Sequence, residues 1–234
     1  MKNVQICPNC NHENPIYKLN CNNCKAFLRT RIVNIDLWQT ISSLLESPVT
    51  TFRSIIQAEH KNFVILLNFL IGIKFFLLAI ILSSFSELNS FNTDYFLSNS
   101  GLVIGSTYFS LLILGFLMTN LNKLFGIENR FKDNYAILNY SFIPLLMSLL
   151  ILSPVHYALF GQYWFTYNPP PYVVKPVPAY ILLFIEGLML FWSFLLLVFG
   201  NYAQTKSRIY SVIISIVVFV LIGLFLFFFP FLPL

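Results

Sequence analysis

Charge is scarce in this 234-residue chain: Asp, Glu, Lys and Arg together make up 10% of it, under half the roughly 25% of an average soluble protein. Catalytic signatures are missing too. There is no phosphate loop, no G-x-G-x-x-G, no G-x-S-x-G and no H-E-x-x-H, so nothing points to nucleotide-driven, serine-hydrolase or zinc-protease chemistry, and a non-enzymatic role is expected. The three histidines, His12, His60 and His156, are scattered. A lone histidine is more often a satisfied or interfacial side chain than a ligand. Cysteine does not occur after residue 24. The opening MKNVQICPNC has no apolar stretch, so no cleaved leader is expected and the first span would direct insertion. No internal repeat or low-complexity tract is present.

What is abundant is apolar. Hydrophobic residues reach 57% and aromatics 18%, and the mean hydropathy is +0.74. A run of about 18 or more apolar residues can span the roughly 30 Å of bilayer hydrocarbon. Five runs qualify, near 62–84, 102–122, 136–156, 178–199 and 209–229. They predict an all-α integral membrane protein, a five-helix transmembrane bundle over 62–234. Pro144, inside the third run, is expected to kink its helix.

Lys and Arg set the orientation. Seven precede the first span, three lie in 123–135 and two in 200–208, whereas 85–101 holds none and 157–177 one, Lys175. Positive loops stay in the cytoplasm. The N-terminus is therefore expected inside and the C-terminus outside, in a prokaryotic cell membrane or, alternatively, an endomembrane. The net charge of +5 follows from this asymmetry. It suits anionic lipid heads rather than nucleic acid. Tyr157, Tyr163, Trp164, Tyr167, Tyr172 and Tyr180 suit the outer aromatic belt, and Pro169, Pro170 and Pro171 an extended segment.

All four cysteines fall in CPNCNHENPIYKLNCNNC, spaced C-x2-C-x10-C-x2-C. A cytoplasmic site disfavours disulfides. Two C-x2-C knuckles instead give four thiolates for one tetrahedral ion, so Cys7, Cys10, Cys21 and Cys24 are the expected ligands of one structural Zn²⁺ within residues 1–31. A redox pair or an iron centre is the competing reading; no strand–helix unit of the thioredoxin kind surrounds the motif. Four sulfur ligands leave the metal no open position for catalysis. The stretch resembles the short zinc-ribbon module that begins many prokaryotic membrane proteins, with Asn11 and Lys25 where glycine is usual. That resemblance implies a docking or stabilising role toward an unidentified protein partner.

Residues 32–61 read as two amphipathic juxtamembrane helices. Leu37, Trp38, Ile41, Leu44 and Leu45 carry the first apolar face. Val49, Phe52, Ile55 and Ile56 carry the second, after Ser47 as a cap and Pro48 at the first helical position. These faces can lie on the cytoplasmic membrane surface or pack on the spans. Three stretches, SPVTTFRSII, FKDNYAILNYSFIPLL and FWSFLLLVFGNYAQTKSRIYSVI, resemble the Yip family of five-span, Rab-interacting membrane proteins and their prokaryotic relatives, over about residues 40–230. Eukaryotic members act in vesicle trafficking, bind small GTPases and shape membranes. The resemblance therefore implies a membrane scaffold or adaptor.

Two charges lie within spans, Lys74 in the first and Glu186 in the fourth. At about 1.5 Å per residue both sit about 18–20 Å from the cytoplasmic end. They are expected to face each other, with spans one and four adjacent. The pair is either an ion-coupled site, which would make the protein a small transporter or channel subunit, or a device that fixes helix register. Asn68, Asn139 and Ser193 are the polar residues expected near the pair. GLVIG, Gly101–Gly105, is a small-x-x-x-small contact of the kind that joins copies into a homo-oligomer.

Overall fold

The computed structural model describes residues 3–84, 100–167 and 169–228. Most of the expected 85–101 loop lies outside them. The N-terminal ribbon is built from β1 (Val4–Ile6) and β2 (Glu13–Pro15), paired antiparallel with Val4 opposite Pro15, and a second bridge, Asn20 to Phe27. Both knuckles turn the same way. Asn11 N–H bonds the Cys7 carbonyl and Lys25 N–H the Cys21 carbonyl, with Asn11 at φ 55° and Lys25 at φ 60°. Asn tolerates that left-handed turn well; Lys carries the Cβ clash that glycine avoids.

Two short helices follow, α1 (Leu37–Glu46) and α2 (Pro48–Gln57). Asp36 caps α1 by accepting from the Gln39 N–H at 2.8 Å. The long helices are α3 (Val64–Ser84), α4 (Ser100–Leu124), α8 (Pro176–Thr205) and α9 (Arg208–Phe228). Between α4 and α8 the chain forms α5 (Phe131–Ser141), α6 (Ile143–Met147), a π-helical turn (Ser148–Leu152) and α7 (Ser153–Phe160). Among the described residues five helices are long and apolar enough to cross a membrane, the third being Ile143–Phe160.

That third span departs from the expected 136–156. Its helical run starts at Phe131 and breaks at Phe142, φ −87° and ψ 7°. Pro144 has no N–H to offer the Tyr140 carbonyl, so it opens a new helix rather than kinking one. Residues 133–141 are buried on every side and carry Asp133, Asn134, Asn139 and Ser141. The membrane-length stretch therefore begins later and runs to Phe160. Pro154 likewise cannot bond the Leu150 carbonyl, and the π turn immediately before it absorbs the mismatch. Beyond Phe160, Pro171–Val174 forms a helical turn, where three prolines suggest an extended segment throughout; Pro170 before it is extended, φ −58° and ψ 139°.

The two amphipathic helices part company. Phe52, Ile55 and Ile56 of α2 are buried, and α2 packs against α5 and α8, so its apolar face belongs to the core. On α1, Leu44 is buried but Trp38 and Leu45 are exposed. The contact of α2 with α8 depends on Gly200: a Cβ there would meet Ile137 Cγ2 at 2.6 Å and the Phe52 ring at 3.2 Å. Ile137 is β-branched and cannot swing clear. Gly200→Ala is expected to destabilise the protein by about 1–3 kcal/mol through overpacking. Gly187→Ala in the same helix meets nothing within 4 Å and should be neutral or stabilising. Thermal unfolding of the two purified variants compares them directly.

Candidate functional site

The four thiols converge. The Sγ atoms of Cys7, Cys10, Cys21 and Cys24 all lie within 4.8 Å of one another, with Cys7–Cys24 at 3.5 Å and Cys10–Cys21 at 3.6 Å. A tetrahedral Zn–S₄ site with bonds of about 2.3 Å needs sulfurs about 3.8 Å apart, so the cage fits such an ion. Asn14 braces it. Its amide donates to Cys21 Sγ at 3.5 Å and to the His12 carbonyl at 2.8 Å, while its oxygen accepts from the Asn22 N–H. Burial opposes ionisation of Cys21, yet the N–H groups of Cys24 and Asn23 and the Asn14 amide outweigh it and hold the thiol at about 6. The Ala26 N–H chiefly lowers Cys24. Thiolate is the form that binds metal.

The ribbon does not hang free. Asn3 donates to the Ala203 carbonyl at 3.3 Å and to that of Gln204, covering acceptors that the last turn of α8 leaves unpaired. Arg29 reaches the carbonyls of Tyr17 at 3.1 Å and Gln57 at 2.8 Å. Arg130 lies 4.3 Å over the Tyr17 ring, and Arg31 pairs with Glu59 at 2.9 Å. The ribbon, the α4–α5 loop and the α8–α9 loop thus share one end of the bundle.

That end is filled by a buried polar network. Asn122 donates to Asn134 at 3.0 Å and to Gln204 at 3.1 Å, and accepts from the Tyr210 hydroxyl at 2.7 Å. Asn134 passes the chain to Thr119 at 2.9 Å. Asp133, fully buried, takes Lys61 at 3.1 Å and Arg130 at 2.7 Å. Lys61 also donates to the carbonyls of Ile55, Ile56 and Ala58 that end α2.

Deeper in the bundle Lys74 and Glu186 meet. Lys74 Nζ is 2.7 Å and 2.8 Å from the two carboxylate oxygens, and both side chains are buried. The two helices touch little along their backbones. α6, α7's π neighbour and α5 pack between or beside them, and the long side chains reach across. Ser148, in the π turn, donates to Glu186 at 3.0 Å. His156 Nε2 lies 3.9 Å from Glu186 and has no hydrogen-bond partner among the described residues. The imidazole stacks on Trp164 with centroids 3.9 Å apart and planes 13° apart. Asn68 and Asn139 belong elsewhere: Asn68 donates to the Tyr135 hydroxyl and Asn139 to the Tyr135 carbonyl. Ser193 is buried without a partner.

Sequence reasoning missed Ser148 and His156 as members of this cluster. It also placed Trp164 and Tyr167 in an interfacial belt, whereas both are buried. Tyr157 and Tyr180 are exposed as a belt requires.

Residues 42–229 match the family model described as the Yip1 domain. No curated protein and no solved structure matches the chain. The match covers most of the chain and all five membrane-length helices; the chain belongs to the Yip1 domain family and is an integral multi-pass membrane protein.

Proposed function

We propose that this Yip1-domain chain is a non-enzymatic membrane scaffold whose zinc ribbon is a cytoplasmic docking module for a protein partner. One observation carries the reading: the ribbon is fastened to the membrane bundle at both its ends, through Asn3 on α8 and Arg29 on α2, yet keeps Ile6 and Phe27 exposed. Apolar side chains left exposed on so small a module favour its use as a contact surface. Four thiolates around one ion favour a structural metal. The concentration of Lys and Arg on the ribbon's side of the spans favours the cytoplasm for it. Gly101 and Gly105, with open space around them, leave a face on which a second copy can pack.

The test compares the full chain in its own membrane with a Cys21→Ser, Cys24→Ser variant. The wild type is expected to carry one zinc per chain and to crosslink to a partner. The variant should lose both while the spans stay inserted, because helices in lipid satisfy their own backbone. Four free thiols without zinc, or an unchanged crosslinking pattern in the variant, would sink the reading. The transporter alternative rests on the Lys74–Glu186 cluster, which has few polar neighbours to continue a path.

A further inference from the structure

We propose that His156, Glu186 and Lys74 form an intramembrane proton-binding site, in which a proton taken up by the imidazole gives Glu186 a second cationic partner. The site is independent of the ribbon and of any docking role.

Three observations point to it. First, His156 is 1% exposed, yet among the described residues its Nε2 is unpartnered, and it lies 3.9 Å from a Glu186 oxygen. A buried polar atom without a partner is costly, and this one is aimed at a carboxylate. The neutral ring has one N–H and the imidazolium has two, so Nε2 is a donor in the charged form from whichever tautomer it starts. Second, the ring lies almost flat on Trp164. A cation over an indole face is attracted to it, so the stack accommodates the charged ring. Third, the Ser148 hydroxyl donates to Glu186 at 3.0 Å, so the carboxylate is held in place beside the ring.

Among the described residues, the groups facing the imidazole are few. Lys74 comes from α3 and Glu186 from α8. The Tyr167 hydroxyl, buried and unpartnered, lies within electrostatic reach of Glu186 and Tyr172. Before uptake the charges of Lys74 and Glu186 cancel. The incoming proton adds to the free nitrogen of the ring, breaks no other bond, and leaves the cluster of His156, Lys74 and Glu186 with one net positive charge, the imidazolium held against the Glu186 carboxylate and the Trp164 face. His156 stands four residues from the end of α7 at Phe160, about 6 Å along the helix, so the proton enters from the aqueous phase opposite the ribbon.

Trp164 is the reporter, because a protonated imidazole stacked on indole quenches its emission. The full chain in lipid nanodiscs, with Trp38 and Trp192 replaced by phenylalanine, is titrated between about pH 8 and about pH 4. Emission is expected to fall reversibly in a single step, to stay flat in His156→Gln, and to fall less in Glu186→Gln. If the background variant does not fold, the difference between wild type and His156→Gln, each with all three tryptophans, gives the same readout. A flat titration, or the same step in His156→Gln, overturns the proposal.

Discussion

Asp133→Ala is expected to lower the folding free energy by about 3–5 kcal/mol, the penalty of leaving buried charge without its counter-ion. Asp133 is fully buried and holds two cations, Lys61 at 3.1 Å and Arg130 at 2.7 Å. Arg130 is partly exposed and can swing to water. Lys61 cannot, because its ammonium is wedged among the last carbonyls of α2. Burial lowers Lys61 to about 8 even though Asp133 pulls the other way. Without Asp133 the lysine titrates lower still. The sign of the pH effect follows. A lysine depressed in the folded state binds fewer protons folded than unfolded, so stability rises with pH above its folded value. The variant begins to gain below about 8, where the wild type does not yet. The gap between the two is therefore expected to narrow as pH rises toward about 8 and to stay constant above it. Thermal midpoints measured across that range in one detergent decide the matter; a gap that widens with pH contradicts the assignment of Lys61 as the stranded charge.

Much of this architecture was legible in the sequence. Hydrophobic length is a property of composition alone, and five apolar runs correspond to five membrane-length helices, although the third is shifted and the fourth runs six residues past the expected end, to Thr205. The cysteine spacing carried the cage, because two knuckles have few ways to present four sulfurs. What escaped reading was set by backbone breaks and packing. Pro144 opened the third membrane-length helix at Ile143, and the helix runs past Pro154 to Phe160. With that end placed at 156, His156 looked like a boundary residue rather than a buried one. Trp164 has the composition of an interfacial anchor, and only the fold turns it inward over the imidazole. The Asn122 hub gave no signal at all. An uncharged asparagine near a loop is unremarkable until three partners from α5, α8 and α9 close on it. The apolar faces of α1 and α2 looked alike in periodicity, and the difference lies in Gly200, which admits α2 to the core.

The charge cycle at Lys74 and Glu186 carries the second large effect. Counting helical rise places the two at one depth, and the structure separates their charged atoms by 2.7 Å and 2.8 Å. Lys74→Glu sets two carboxylates against each other away from water, and Glu186→Lys sets two ammonium groups. Each single change is expected to cost at least the roughly 3–5 kcal/mol of a broken buried pair, seen as a collapse of the monodisperse, membrane-extracted yield. The double swap restores opposite charges at the same separation. Ser148 can serve either arrangement. Its one proton is within reach of both the Leu145 carbonyl and Glu186; facing an ammonium, the oxygen accepts and the proton goes to Leu145. His156 can accept from the same ammonium while its ring is neutral. The swapped protein should therefore recover most of the yield at neutral pH and lose it again on acidification, when the imidazolium meets a lysine. A double swap no better than the worse single change would show that the two side chains do not depend on each other. A swap that recovers and stays stable in acid would keep the ion pair and remove His156 from the cluster.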